Sequence, residues 1–237
     1  MSSSPPKITL GYWKIRGLAQ PVRTLLRYLN VPFVDVLYEQ GDAPSFSREA
    51  WLSKKGGLGL DFPNLPYLID ETDAAAPVRL TQSAAILRYL ARRYGAGAEL
   101  YGGSPARLAA VDQALDQTID LRNQYTRVGY GSAPFEAFAD TVLPGFLSSF
   151  EAVVAGGGWL APGAGPTIAD FVLGEVLDGV AAMVAELAGS SGRERDAFKG
   201  FPSVAAYKKR YDELTAAARA APECMQRPYN NKVAVWK

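Results

Sequence analysis

The chain has 237 residues, 48% of them hydrophobic, and its 25 lysines and arginines balance 24 aspartates and glutamates. It can bury one large core or two modest ones, and a net charge of +1 offers no field that attracts nucleic acid or an anionic membrane. The sequence contains no histidine, which excludes catalytic triads, imidazole bases and the usual zinc sites. We therefore expect no metal, and chemistry that depends on tyrosines, carboxylates, amides or the substrate itself.

Cysteine content and hydropathy predict a cytoplasmic protein. The single cysteine, Cys224, cannot form an internal disulfide or a Cys-x-x-Cys redox pair. The first seven residues are polar and contain no apolar run typical of a signal peptide. The most apolar long stretch, 176–187, carries Asp178 and Glu186 and is too short to cross a bilayer, so it indicates a buried helix.

The first third of the chain alternates strand-like runs with helical periodicity, which predicts an α/β domain. Pro66 lies at a strand entrance, where a cis bond is possible. The predicted elements are a strand at 8–12, a helix from Pro21, a strand at 33–38, strands at 65–69 and 78–80, and a helix at 82–94.

After a linker rich in glycine and alanine, predicted at 96–104, only helices are predicted. We place the domains at 1–95 and 105–237. Ser104 and Pro105 are typical of a helix start, and Thr167 with Asp170 resembles a capping box in which aspartate replaces the usual glutamate. The predicted helices are 105–130, 134–154, 171–187, 202–211 and 212–220.

Several short strings in the first domain are much more specific than this layout. They are LGYW at 10–13, IRGL at 15–18, GDAP at 41–44, LGLDFPNLPYLID at 58–70 and TQS at 81–83. Together they resemble the mu class of cytosolic glutathione transferases, densely over 8–95 and more thinly afterwards. The resemblance implies a thioredoxin-like amino-terminal domain of βαβ-ββα order followed by a helical bundle domain.

By this resemblance, Tyr12 is the catalytic tyrosine, whose hydroxyl donates a hydrogen bond to the sulfur of glutathione, the co-substrate. That bond favours the thiolate, the nucleophilic form of a thiol whose free pKa is near 8.5. A tyrosine at the end of a strand is otherwise an ordinary core residue. The other residues that the resemblance assigns to glutathione are Trp13, Leu18, Arg48, Trp51, Lys55, Asn64, Leu65, Gln82, Ser83 and Asp120.

The resemblance also implies an electrophile pocket and a homodimer. Tyr130 corresponds to a second tyrosine that donates to the electrophile as charge develops on it. Phe62 corresponds to an aromatic residue that inserts between helices of a partner subunit, and Asp120 to an acid that reaches glutathione bound to that subunit. The predicted pocket consists of Leu18, Asn123, Tyr130, Asn230 and Asn231.

Three features depart from the family pattern. Asn230 and Asn231 occupy tail positions that are commonly bulkier or hydroxylated, which leaves the polarity of the electrophile pocket open. Gly56 and Gly57 follow Lys55 where a larger residue is usual. About five extra residues near 74–77 lengthen the turn before the fourth strand, which predicts a longer surface loop.

The leading interpretation is an enzyme that conjugates glutathione to small hydrophobic electrophiles, with neither nucleic acid nor membrane as a partner. Two alternatives remain open. The chain could use the same thiolate for isomerisation or peroxide reduction, or it could be a catalytically feeble, crystallin-like relative that binds ligands or has a structural role. The complete set of thiol-site residues favours the first interpretation.

Overall fold

The computed structural model of the chain describes residues 7–95, 100–190, 192, 194–220 and 225–236. Its contacts divide the chain into two units. The first consists of the described residues of Met1–Tyr94 and Ala218–Val233, and the second of those of Gly95–Ala217 with Ala234–Trp236. Cys224 and part of the predicted linker at 96–104 lie outside the described residues.

A four-stranded mixed sheet forms the centre of the first unit, with strand order β2-β1-β3-β4. The parallel pair β1 and β2 follows from the helix that connects them, whereas β3 runs antiparallel to both β1 and β4. The Leu65–Pro66 bond is cis. β3 begins after Pro66, two residues later than predicted, because proline has no amide hydrogen to donate to a neighbouring strand. The strands are β1 (Ile8–Trp13), β2 (Val34–Tyr38), β3 (Tyr67–Asp70) and β4 (Val78–Thr81).

Three helices complete the described part of the first unit: α1 (Gln20–Tyr28), α2 (Glu49–Leu52) and α3 (Ser83–Tyr94). The predicted helix start at Pro21 is confirmed, since this proline lies in the first turn of α1. Leu25 and Leu26 are fully buried, and burial of such a side chain contributes about 1.5–3 kcal/mol. Short 3₁₀ turns at Gly17–Ala19 and Lys55–Gly57 follow β1 and α2.

The described elements of the second unit are helical. As predicted, Ser104 caps the first helix, because its hydroxyl accepts a hydrogen bond from the Arg107 amide at 3.2 Å. A π-helical turn, Phe138–Val142, joins the two parts of the helix predicted at 134–154. The helices are α4 (Pro105–Gly129), α5 (Phe135–Ala137), α6 (Leu143–Val154), α7 (Ile168–Ser190) and α8 (Pro202–Arg219).

Asp170 organises the start of α7, the most buried helix of this unit. Its carboxylate accepts hydrogen bonds from the Thr167 amide and hydroxyl, as the capping-box interpretation predicts, and also from the Leu160 amide at 3.0 Å and the Tyr207 hydroxyl at 2.9 Å. Burial raises the pKa of Asp170, and these four hydrogen bonds act in the opposite direction. The carboxylate thus connects α7 to α8 and to the loop that precedes α7.

Two predictions about the carboxy-terminal part were wrong. The helices predicted at 202–211 and 212–220 are one helix, α8, because the sequence has no glycine or proline between Ser203 and Arg219. The Thr215 hydroxyl donates to the Tyr211 carbonyl across the predicted boundary. The predicted helical domain runs to residue 237, yet the described residues of 218–233 group with the first unit. Ion pairs such as the one between Arg227 and Asp35 hold it there.

The helical stretch Phe135–Val154 is long and apolar enough to cross a membrane, with a mean hydropathy of 1.3. The core helix of a soluble protein passes the same test, so this is weak evidence. Its carboxylates take part in the folded unit: Glu151 accepts hydrogen bonds from the Ser203 and Val204 amides at the start of α8. Asp140 pairs with Arg195 at 2.7 Å.

Candidate functional site

Tyr12 lies near the end of β1 with 6% of its surface exposed. Its hydroxyl oxygen accepts a hydrogen bond from the Leu18 amide at 3.1 Å. Leu18 belongs to the 3₁₀ turn that follows the strand, so the structure brings together two of the predicted site residues. Trp13, another predicted site residue, is the last residue of β1 and is half-buried.

The turn approaches the tyrosine so closely that residue 17 must be glycine. Gly17 has φ +39°, a conformation that side chains with a Cβ rarely adopt. A Cβ at this position would lie 2.8 Å from the Tyr12 hydroxyl oxygen. The IRGL string therefore has a direct structural reason at its third position.

The residues predicted for the glycine end of glutathione lie in and around α2. Trp51 is buried against Tyr38 and Tyr67, with ring centroids at 5.4 and 6.0 Å, and the two tyrosine hydroxyls lie 3.0 Å apart. Burial, together with this hydrogen bond, raises the pKa of Tyr67, so that tyrosine remains neutral. Arg48 is exposed before α2, and Lys55 is half-buried after it.

Two backbone features mark the remaining candidates in this unit. Leu65 precedes the cis bond, and its amide donates to the Asn64 side chain at 2.9 Å. Gln82 has φ +68°, a strained conformation for a residue with a side chain, and Ser83 is the first residue of α3. This conformation of Gln82 sets the direction in which α3 begins. The first amides of that helix have no acceptors within it.

The predicted pocket residues divide between the units. Leu18, Asn230 and Asn231 belong to the first, where Asn230 is buried. Asn123 and Tyr130 belong to the second. Asn123 accepts a hydrogen bond from its neighbour Arg122, and Tyr130 is 37% exposed at the end of α4.

Asp120 is exposed on α4 in the second unit. An intrahelical ion pair is the alternative to a role in binding. Within the ranges that the structure describes, Asp120 forms no ion pair with Arg122 or Arg127. Its carboxylate therefore lies on the exposed surface of α4.

A polar network that is not among the predicted site residues lies beside Tyr12, with the Arg23 guanidinium 5.9 Å from the centroid of the tyrosine ring. Arg23, on the buried face of α1, pairs with Asp35 at 3.0 Å, and Asp35 also pairs with Arg227 at 2.8 Å. The sequence does not single out Arg23, because α1 also contains the polar residues Gln20, Thr24 and Arg27. Only its burial shows that this charge requires a partner. The sequence could not indicate which acid that partner is.

The fold defines the class of protein. A βαβ-ββα unit with a cis proline before its third strand, followed by a helical unit, is a thioredoxin-like domain joined to a helical domain, and the predicted fold class is confirmed. A solved structure of the Onchocerca volvulus Pi-class glutathione S-transferase matches with a TM-score of 0.75 at 25% identity, covering 96% of this chain and 99% of that one.

Sequence comparisons define the family more closely. The family model "Glutathione S-transferase, N-terminal domain" matches residues 8–92, and the corresponding C-terminal model matches residues 119–217. The chain is 40% identical to glutathione S-transferase Mu 1 of Oryctolagus cuniculus over 85% of this chain and 90% of that protein. It is 36% identical to glutathione S-transferase Mu 4 of Mus musculus over 97% and 98%. The chain belongs to the glutathione S-transferase family, and the resemblance to its mu class is confirmed.

Proposed function

We propose that this chain is a glutathione transferase in which Tyr12 holds the thiol of glutathione as a thiolate for attack on hydrophobic electrophiles. Family membership supports the conjugation reaction and glutathione as its co-substrate. The observation that carries the role of Tyr12 is the hydrogen bond from the Leu18 amide to its hydroxyl oxygen. The hydroxyl oxygen accepts the hydrogen bond from the Leu18 amide, and its own O–H hydrogen can be donated to a sulfur atom.

The energetic requirement is modest. A free thiol with a pKa near 8.5 is only a few per cent ionised at neutral pH. Each unit by which the pKa falls corresponds to about 1.4 kcal/mol of preferential binding of the thiolate. One hydrogen bond to a charged acceptor, worth about 1.5–3 kcal/mol, lowers the pKa by about 1–2 units, and the upper half of that range makes the thiolate the major form at neutral pH.

Positively charged or hydrogen-bond-donating groups would bind the carboxylates at the two ends of glutathione. Lys55 provides a cation for the glycine carboxylate, with Trp51 as a donor and Arg48 beside them. The first amides of α3, at Gln82 and Ser83, would bind the γ-glutamyl carboxylate. The backbone of Leu65 and the neighbouring Asn64 would pair with the cysteinyl part, and Trp13 and Leu18 would flank the sulfur.

The electrophile would be activated by Tyr130, whose hydroxyl is a hydrogen-bond donor for the charge that develops on it. Its exposure at the end of α4 is compatible with contact to a bound molecule. Asn123, Asn230 and Asn231 would make the pocket more polar than apolar side chains there would. A cytoplasmic location accords with a chain that has a single cysteine.

We further propose a homodimer in which Phe62 of one copy occupies the second unit of the other. Phe62 is 77% exposed, and contact with a second copy would remove this apolar surface from water. The second unit contains a cavity of ≈310 Å³ between α4 and α6, which is large enough for a phenyl ring. Its lining is Ala110, Gln113, Ala114, Gln117, Ser149, Phe150, Val153 and Leu160. Asp120 of that copy would then reach glutathione on its partner.

The role of Tyr12 can be tested with Tyr12→Phe, which removes one hydroxyl from a buried ring. With a chloronitrobenzene as electrophile, we expect kcat near neutral pH to fall about 100-fold. The pKa of enzyme-bound glutathione, followed by ultraviolet absorption of the thiolate, should return towards 8.5. Tyr89→Phe is the matched control, because its hydroxyl bonds to Asp70 instead. Parental turnover and thiol pKa in Tyr12→Phe would refute the role.

A further inference from the structure

The turn that touches Tyr12 is held by the carboxy-terminal tail. The Arg16 amide donates to the Pro228 carbonyl at 2.8 Å, and the Gly17 amide donates to the Tyr229 carbonyl at 3.2 Å. These are the two residues immediately before Leu18, whose amide donates to the Tyr12 hydroxyl. The direction of the Leu18 amide therefore depends on tail residues more than 200 positions away in sequence.

A side-chain contact strengthens the same connection. The Arg16 guanidinium donates to the Tyr229 hydroxyl at 2.9 Å and lies over the Tyr229 ring at 4.3 Å from its centroid. Stacking of this kind contributes about 0.5–2 kcal/mol. Arg16 itself is 3% exposed, so this contact is part of the packed interior.

Asp35 joins the tail to the opposite side of the turn. Its carboxylate pairs with Arg227 of the tail at 2.8 Å and with Arg23 of α1 at 3.0 Å. Arg23 in turn donates to the Ile15 carbonyl at 2.8 Å. The segment is thus held from two directions: Arg23 binds the Ile15 carbonyl, and the tail carbonyls accept hydrogen bonds from the Arg16 and Gly17 amides.

We propose that Arg227 and Tyr229 are positioning residues for the thiol-binding tyrosine. The pair between Arg227 and Asp35 fixes the tail, the tail carbonyls fix the turn, and the turn aims the Leu18 amide at the Tyr12 hydroxyl. A hydroxyl that accepts a hydrogen bond is a stronger donor in its own bond, because consecutive hydrogen bonds polarise one another. The tail thereby lowers the pKa of bound glutathione. This inference rests on the proposed role of Tyr12.

The principal test is Arg227→Gln, measured by titrating the thiolate absorption of enzyme-bound glutathione. We expect the thiol pKa to rise by about 0.5–1 unit, the range of one modest hydrogen bond, so that kcat at pH 6.5 falls about 3–10-fold. At pH 9 the activity should approach that of the parent, since the thiol then ionises in both proteins. The KM for glutathione should stay within about twofold, because Arg227 is not among the residues proposed to bind it.

Three further variants separate positioning from a general loss of structure. Arg227→Lys retains a cation for Asp35 and should restore most of the parental pH profile. Lys209→Gln removes the same charge from an exposed pair with Glu213 at 4.0 Å and should leave the thiol pKa unchanged. Tyr229→Phe removes only the hydroxyl that Arg16 contacts and should raise the thiol pKa in the same direction by a smaller amount. Thermal unfolding of each variant verifies that the protein is folded.

The double variant Tyr12→Phe with Arg227→Gln identifies the route. If the tail acts through Tyr12, Arg227→Gln adds no further rise in thiol pKa when the hydroxyl is already absent. An additive rise would overturn the inference, as would a parental pH profile in folded Arg227→Gln when Tyr12→Phe has raised the thiol pKa. That last result would leave the role of Tyr12 intact. An unchanged thiol pKa in Tyr12→Phe would overturn both proposals.

Discussion

The two units each contain a carboxylate that joins distant segments, and the two networks differ in what they hold. Asp35 in the first unit connects α1 and the tail to the turn beside Tyr12. Asp170 in the second connects α7, α8 and the preceding loop, and its recorded hydrogen bonds involve no predicted site residue. The first network would tune chemistry, whereas the second maintains the fold.

The largest expected effect tests the structural half of this comparison. Asp170→Ala leaves two amides and two hydroxyls without an acceptor, so we expect the free energy of unfolding to fall by about 3–5 kcal/mol. Urea unfolding followed by circular dichroism measures it. Asp116→Ala, on the exposed face of α4, should change it by less than about 0.5 kcal/mol. Equal stabilities for the two variants would remove the distinction between the networks.

The exposed side chain of Phe62 in the first unit tests the proposed contact with the second unit of another copy. Phe62→Ser should weaken dimerisation by about 2–4 kcal/mol, or roughly 30–1000-fold in Kd, if Phe62 fills the cavity between α4 and α6 of a second copy. Analytical ultracentrifugation over a concentration series measures it. Val233→Ser, another exposed apolar change in the first unit, is the control. A parental Kd for Phe62→Ser would exclude this mode of association.

Gly17→Ala tests the functional network at its closest contact. The added Cβ would lie 2.8 Å from the Tyr12 hydroxyl oxygen and requires φ +39°, so we expect kcat/KM to fall about tenfold and stability to fall by about 1–2 kcal/mol. Steady-state kinetics and urea unfolding measure the two. Gly145→Ala, in α6 with open space around it, should retain activity and be as stable as the parent or slightly more so.

The smallest effect concerns Asp70, a carboxylate of the first unit with a structural role. It tests whether any carboxylate network in this unit affects the thiol, or only the one around Asp35. Hydrogen bonds from Thr72, Tyr94 and Tyr89 outweigh burial and lower the pKa of Asp70 below 3.8. Its contribution to stability is present above pH 3.8 and is lost as the pH falls through the lowered value. Asp70→Asn should therefore cost about 1–2 kcal/mol at pH 7 and less at pH 3, with unchanged thiol pKa. Urea unfolding at both pH values measures this. A cost that is equal at both values would contradict the assignment.

Local signals were sufficient for much of the fold. The strand and helix order of the first unit, the cap at Ser104, the cis bond before Pro66 and the carboxylate contact of Thr167 all depend on residues close in sequence. Propensity and capping chemistry act over that same range. The boundary predicted between Tyr211 and Asp212 was wrong, because no glycine or proline interrupts the chain there and the helix continues through both residues.

The candidate site was predicted residue by residue from short strings, and their assigned roles remain predictions. What the strings could not provide was the support behind them. The second cis bond, before Pro44, and the left-handed conformation of Gln82 have no separate sequence signal that we recognised. The left-handed conformation of Gln82 depends on how the surrounding chain packs, because a strained conformation persists only where neighbouring contacts impose it.

The sequence by itself determined the class of fold and the family, and it supplied the prediction for Tyr12, because those depend on periodicity and on contiguous strings. Only the tertiary structure decided which charges meet. The pair between Arg227 and Asp35 joins positions 192 residues apart, and Asp35 also pairs with Arg23 inside the first unit. Buried charges require partners, but any of the chain's acids could serve until folding brings one of them into contact.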